Sequence, residues 1–390
     1  LEKNLPRDYW RFLSGGWMFF HLMLTTECDL HCRYCFGEAL EDFGGGFDGF
    51  NVDYCLPRRI NFDLEMLKRF CELDPECVLI FYGGEPLLCL NDVRRVMDIV
   101  GARHFVVQTN GLHLGCLEPA YLNRFSLILV SLNGNEALTD YYRGAGVFRR
   151  VIDNLKLVVR NGFKGEIIAR MTVMEETDIY RQVLWLLNND EFAFSSVHWQ
   201  LNAGFWNDFE RRNFQKWSEE SYNPGIRRLV KFWVDYMERN GVVLRLYPFL
   251  GVARSFLKGE KRVFLRCGAG WINYAIQTDG HIVPCPSMWG MRDFYLGHIS
   301  TAHPLRLRKV FVGEPCTSCR IFNVCGGRCL YANITKRWKP ESYKLVCRTV
   351  KNLIGAVAGE IPRIKRLIDA GRIKVEDFDF MQYIGCEIIP

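Results

Sequence analysis

Cys28-Asp29-Leu30-His31-Cys32-Arg33-Tyr34-Cys35 sets three cysteines in a Cys-x3-Cys-x2-Cys array. The stretch follows directly on Trp17-Met18-Phe19-Phe20-His21-Leu22-Met23-Leu24, an apolar run that reads as a buried strand. Three thiolates on one short loop can hold three irons of a cuboidal cluster, and such a cluster normally takes four cysteines. The fourth iron is then left without a protein ligand, which turns an electron carrier into a place where a substrate coordinates. The alternative is a zinc site or a structural thiol cluster. Zinc sites usually pair Cys-x2-Cys with a second ligand pair, and none lies nearby. His31, one of the spacers, reads as a packing or hydrogen-bonding residue rather than a ligand.

The array, placed after a first strand, resembles the signature of the radical S-adenosylmethionine (radical SAM) superfamily. Three further segments carry the resemblance. The apolar run Val78–Tyr82 leads into Gly83-Gly84-Glu85-Pro86, which looks like the family's GGEP segment. Two glycines permit close backbone approach to the ammonium of the methionine moiety, and Glu85 adds a carboxylate for the same cation. Phe105–Gln108 leads to Thr109-Asn110-Gly111, and Leu127–Leu132, which contains Ser131, leads to Asn133-Gly134 and then Asp140-Tyr141-Tyr142-Arg143. These are similar to the family's TNG and SLDG…D-x-x-R segments near the adenosine half of the cofactor. Asn133 stands where the family usually has Asp. The resemblance therefore implies that Cys28, Cys32 and Cys35 hold a SAM-binding [4Fe–4S] cluster. Gly83, Gly84, Glu85, Pro86, Thr109, Asn110, Ser131, Asn133 and Arg143 then contact SAM.

A second array fills the last third. Cys267 is followed by Gly280 and Cys285, then by Cys316-x2-Cys319-x5-Cys325-x3-Cys329 and Cys347. This is similar to the seven-cysteine SPASM extension, which carries two auxiliary [4Fe–4S] clusters. A zinc ribbon is the alternative for Cys-x2-Cys pairs. The family pattern gives Cys316, Cys319, Cys325 and Cys347 to an outer cluster and Cys267, Cys285 and Cys329 to an inner one, which is left one ligand short. In the sulfatase-maturase branch an extra cysteine stands six residues after the first; here that position is Asn273. A cysteine of the substrate peptide or Cys386 of the tail is a candidate for the open place, as are Cys55, Cys71, Cys77, Cys89, Cys116 or water.

Ten of the sixteen cysteines fall in the two arrays, and thiolate ligands need a reducing compartment. The first residues offer no apolar signal core, and no run approaches the roughly 20 residues that span a bilayer. The expectation is a cytoplasmic protein from an anaerobic setting, without a membrane partner. A formal net charge of +6 without a basic stripe interleaved with aromatics argues against nucleic acid.

The organisation follows from these anchors. Residues 1–202 read as a radical SAM core, 203–264 as a bridge, 265–350 as the SPASM region and 351–390 as a closing helix and tail, with no separate N-terminal domain. Alternating strands and helices (helices around Asp92–Val100, Val147–Val159 and Tyr180–Leu187, strands at Gly165–Thr172 and Ser196–Leu201) imply an α/β fold with parallel strands. The resemblance sharpens this to a partial (β/α)6 TIM-type barrel, with chemistry at the strand carboxyl ends. Phe36–Arg59, with Gly44-Gly45-Gly46, reads as a solvated loop or a mobile flap. Phe205, Trp206, Phe214 and Trp217 read as core packing or as a substrate groove. Helices are expected from Gly225 to about Gly241 and over Val350–Ala370.

SPASM enzymes mostly oxidise or cross-link residues of peptides or proteins. The resemblance implies SAM cleavage to a 5′-deoxyadenosyl radical, hydrogen abstraction from a peptide or protein, and a low-potential donor such as ferredoxin or flavodoxin. The sulfatase-maturase branch has an Asp after the second auxiliary-domain cysteine, where it acts as a base. Here Pro286 follows Cys285, which lowers the formylglycine reading. No catalytic side chain is assigned. Oxidation of a small molecule and a non-catalytic iron–sulfur carrier are the alternatives.

Overall fold

The computed structural model describes residues 17–35 and 49–385. The leader before Trp17, the glycine-rich part of the expected flap and Cys386 lie outside the described residues.

Six strands follow one another in the chain: β1 (Phe19–Thr25), β2 (Val78–Gly83), β3 (His104–Thr109), β4 (Phe125–Ser131), β5 (Glu166–Val173) and β6 (Ser196–Leu201). Each pairs in parallel with the next. Their apolar residues run almost without a break, as strands covered on both faces require; all seven residues of β1 are buried. Beyond β6 lies β7 (Arg245–Leu246), and beyond β1 lies the hairpin of β8 (Asn273–Ile276) and β9 (Ile282–Val283), giving the sheet order β7-β6-β5-β4-β3-β2-β1-β8-β9. The barrel is therefore unclosed, as expected. The cysteine-rich segment continues its sheet, because β8 runs parallel to β1 with Phe19 opposite Asn273.

The longer helices are α1 (Leu64–Glu72), α2 (Leu90–Ile99), α3 (Glu136–Arg143), α4 (Val147–Arg160), α5 (Ile179–Leu187), α6 (Asn223–Asn240), α7 (Tyr247–Lys258) and α8 (Pro340–Asp369). Asp63, Asn135 and Asp178 cap α1, α3 and α5 by accepting from backbone amides of the first turn, which satisfies donors that a helix start leaves open. Helix α4 buries Val147, Phe148, Val151, Ile152, Leu155 and Val158, one stripe at helical spacing. Helix α8 begins ten residues before the expected Val350, with Pro340 in its first turn, where a missing N–H costs nothing. The boundary expected between residues 350 and 351 thus falls inside one helix.

The bridge packs as core at two of its expected positions: Phe214 and Trp217 are buried, and Phe214 meets Trp338 edge-on. The tail after α8 touches both the end of the sheet at β7 and the strand β1. Phe380 packs on Tyr247 just after β7, and Tyr383 packs on Phe19 of β1.

Candidate active site

The loop after β1 carries Cys28, Cys32 and Cys35, and the ends of three other strands tie it down. From the end of β2, Gly84 N donates to Thr25 O (2.8 Å) and Glu85 N to Glu27 O (2.8 Å). From the end of β3, Asn110 Nδ2 donates to Asp29 Oδ1 (2.7 Å) and lies 3.9 Å from Cys28 Sγ. His113 Nε2 meets Asp29 Oδ2 at 2.8 Å. From beyond β4, Asn133 Oδ1 accepts the Tyr34 hydroxyl (2.9 Å) and Arg143 Nε (3.2 Å). Arg33 is held by the carbonyls of Tyr141 and Tyr142. The three other segments singled out in the sequence therefore converge on this one loop.

The glycines answer to this loop. A Cβ on Gly83 would stand 2.1 Å from Thr25 O, and one on Gly84 2.2 Å from Glu27 O. Both glycines thus let β2 approach these carbonyls closely. Glu85 likewise faces inward. It is fully buried, and its carboxylate accepts from Leu87 N (2.9 Å), Thr109 Oγ1 (2.8 Å) and Asn110 N (2.6 Å). Burial pushes its pKa up to about 6 despite those donors. Pro86 opens the short 3-10 turn that Glu85 caps. Glu85 thus laces the end of β2 to the end of β3.

Asn133 is equally committed, because its amide also donates to Thr172 O (2.7 Å). Ser131 closes β4 opposite Arg170. Arg143 is buried, over the ring of Tyr34, within electrostatic reach of Cys32 and Cys28. Burial pushes the Cys28 thiol up to about 11. Burial works against the Asp29 carboxylate, yet the bonds from His113 and Asn110 hold it below the usual range. Asp29, Tyr34 and His113 were not expected as site residues. Tyr34 and Asp29 are array spacers, and His113 closely follows the TNG segment, but their pairings are visible only in space.

Cys316, Cys319, Cys325 and Cys347 are electrostatic neighbours, and burial pushes the Cys325 thiol up to about 12. Asn333 Nδ2 lies 3.6 Å from Cys316 Sγ. Cys267, Cys285 and Cys329 flank the turn 268–273. Asn273 Nδ2 donates to Cys267 O (2.9 Å), Gly270 N donates to Pro284 O beside Cys285 (3.0 Å), and Gly270 abuts Leu330 beside Cys329. The side chains of the array cysteines end in sulfur, a soft donor suited to iron–sulfur ligation. Among the described residues no three Cys, His, Asp or Glu side chains converge tightly enough for a single metal ion; a cube with one iron per thiolate spreads its ligands wider.

The radical SAM superfamily model matches residues 22–184, the span that holds the three-cysteine loop and all three segments bound to it. Residues 22–184 form a radical SAM domain. Proteins with such a domain hold SAM on a [4Fe–4S] cluster, and the thiols and surroundings of the loop fit that group. The chain is 22% identical over 365 residues to a cysteine-type anaerobic sulfatase-maturating enzyme of Clostridium perfringens (strain 13 / Type A), covering 84% of this chain and 92% of that one. The solved structure of native anSMEcpe with bound AdoMet shares the fold at TM-score 0.67 and 18% identity, over 90% of this chain and 99% of that one. The crystal structure of Streptococcus suis SuiB bound to the precursor peptide SuiA matches at TM-score 0.52 and 15% identity, over 86% of this chain and 76% of that one. The radical SAM domain is thus homologous to that of sulfatase-maturating enzymes. Among the described residues no helix is long and apolar enough to cross a membrane.

Proposed function

We propose that this chain is a peptide- or protein-modifying radical SAM enzyme with two auxiliary [4Fe–4S] clusters. The carrying observation is the convergence of three segments, from the ends of three strands, on the loop of Cys28, Cys32 and Cys35. A carrier of electrons alone needs no such convergence and no three-thiol loop. When bound, the cluster supplies one electron to SAM, whose cleavage gives methionine and a 5′-deoxyadenosyl radical that takes a hydrogen atom from the substrate.

The chain's own residues position and shield. Gly84 and Glu85 clamp the backbone of the loop. Asn110 aims an N–H toward Cys28 Sγ while Asp29 and His113 fix its orientation. Tyr34, Asn133 and Arg143 hold the loop's far end and place a buried cation near the thiols. Cys316, Cys319, Cys325 and Cys347 are the ligand set of the outer auxiliary cluster; Cys267, Cys285 and Cys329 belong to the inner one. A low-potential donor such as ferredoxin or flavodoxin supplies the electron.

The peptide assignment is supported by the relatives: one acts in sulfatase maturation, and another is seen with its precursor peptide. The formylglycine reaction itself is disfavoured, because Pro286 begins a 3-10 turn after Cys285 and carries no basic group. The test is anaerobic incubation of reduced enzyme with SAM and deuterated candidate substrates. Deuterium appearing in 5′-deoxyadenosine from a peptide supports the reading. Transfer only from a small metabolite makes the enzyme a small-molecule dehydrogenase, and absence of SAM cleavage removes the enzyme reading.

A further inference from the structure

We propose that the exposed face around Cys319 and Cys347 is the docking surface for an acidic one-electron donor protein of the ferredoxin or flavodoxin kind. The inference rests on the reading of Cys316, Cys319, Cys325 and Cys347 as the ligand set of the outer auxiliary cluster, and it says where on the chain electrons enter.

The positive charge of the chain is gathered in one place. Residues 316–351, which hold those four cysteines, carry eight Lys and Arg against one Glu, a formal +7. The whole chain is +6, so all the rest nets −1. A field of one sign raises the encounter rate of partners of the other.

Helix α8 brings that charge to the cysteines. Lys344, Cys347, Arg348 and Lys351 stand at positions i, i+3, i+4 and i+7, so they share one side of the helix. Leu345, Val346, Val350 and Leu353 bury the other side, which leaves Lys344, Arg348 and Lys351 exposed. Lys351 and Cys319 both lie within electrostatic reach of Cys347. Arg320, next to Cys319, is exposed as well. Four cations thus rim Cys319 and Cys347, which are half-buried, while Cys316 lies deeper.

Little acid neutralises this rim. Among the described residues Arg320, Lys344 and Lys351 make no ion pair. Arg348 meets Glu219 at 3.4 Å with both side chains exposed, a contact worth at most about 1 kcal/mol that a partner's carboxylate can replace. Glu314 accepts from the hydroxyls of Thr317 and Ser318, and Glu341 is the one acid of the segment. Transient redox complexes bury less than about 1,200 Å², and complementary charge sets their encounter rate. Single-stranded nucleic acid, the other polyanion, asks for aromatic rings on which bases stack; no large apolar side chain is exposed within 316–351. In each encounter the anionic hydroquinone of a flavodoxin gives up one electron and becomes the neutral semiquinone, and the outer cluster takes that electron. No proton moves and no bond forms or breaks.

The test uses the full, anaerobically reconstituted chain and an acidic flavodoxin. Binding of oxidised flavodoxin is measured by isothermal titration, and semiquinone formation from the hydroquinone by stopped flow, up to about 1 M salt, where the Debye length is about 3 Å. The variants are Lys344→Glu with Lys351→Glu, and the milder Lys344→Gln with Lys351→Gln. Lys164→Glu with Lys365→Glu, exposed positions elsewhere, is the control with the same change in net charge. At low salt the charge reversal should weaken binding and slow reduction about tenfold or more. The Gln pair should fall between, the difference should fade at high salt, and the control should follow the parent. Equal binding and rate in the reversal and the parent, an equal loss in the control, or a parent that neither flavodoxin nor ferredoxin reduces overturns the inference. So does a reversal that abolishes binding of a short single-stranded RNA and leaves flavodoxin binding intact, which makes the face a nucleic-acid surface. These outcomes leave the outer cluster standing if the parent holds about twelve irons. A parent near four irons removes the auxiliary-cluster reading and this inference with it.

Discussion

Gly84→Ala tests whether the end of β2 clamps the three-cysteine loop. The added methyl would sit 2.2 Å from Glu27 O, 2.5 Å from Thr26 O and 2.6 Å from Glu27 C. All three are backbone atoms, so no side chain can swing aside. Restoring ordinary contact means parting the two segments by about 1 Å, since Cβ contacts below roughly 3.2 Å are overpacked. The Gly84 and Glu85 amide bonds, both 2.8 Å, would then stretch to about 3.8 Å, beyond hydrogen-bond range. Two lost bonds at about 0.5–1.5 kcal/mol each, with about 1–3 kcal/mol of overpacking, give about 2–6 kcal/mol. At about 2.1 cal/mol/K per residue of unfolding entropy, that lowers Tm by roughly 2–7 °C in a chain of this length. Gly101→Ala is the control, because a Cβ there meets nothing within 4 Å. The assay is thermal unfolding under argon with iron measured before heating. Gly84→Ala should melt earlier and retain less iron, while Gly101→Ala matches the parent. A Gly84→Ala protein that melts with the parent and keeps its iron would refute the clamp.

Three other outcomes are expected. Anaerobic reconstitution should give about twelve irons per chain, and replacing Cys28, Cys32 and Cys35 with Ala should remove about four and abolish SAM cleavage; a wild-type count near four would contradict the auxiliary clusters. Burial lowers the pKa of His21 to about 4, so the unfolded chain takes up its proton first as pH falls; about 3 kcal/mol of stability should be lost between pH 6.5 and 4, and a His21→Gln variant should show a flatter acid limb in urea titrations than the parent. Arg212 grips Glu175 through two nitrogens (2.8 and 3.1 Å), both side chains nearly buried. Arg212→Met should therefore cost about 3–5 kcal/mol in a denaturation curve by stranding the carboxylate, and a loss below 1 kcal/mol would show that water reaches Glu175.

The six main strands were legible because parallel strands covered on both faces leave continuous apolar runs; β7 and β9, two residues each, leave no pattern. Helix α7 was missed because it buries Tyr247, Pro248, Phe249, Leu250, Gly251, Val252 and Ala253 in succession, without a polar face to mark its period. The two cysteine arrays were readable from spacing alone. The duties of Glu85 and Asn133 were not. The protein partners of each are donors and acceptors on segments far away in the chain.

The pairing of β8 with β1 bears on how the chain is made. Asn273 lies 254 residues after Phe19, the residue it faces. At roughly 5–20 residues per second, the ribosome needs about 13–50 s to deliver it after Phe19. Throughout that interval one edge of the first strand has no partner, and its apolar residues are a template for pairing with other nascent chains. Of the six main strands, the first to emerge is among the last to be completed. A release or stall before residue 273 would leave that edge bare, which makes an aggregation-prone fragment the expected product of interrupted synthesis.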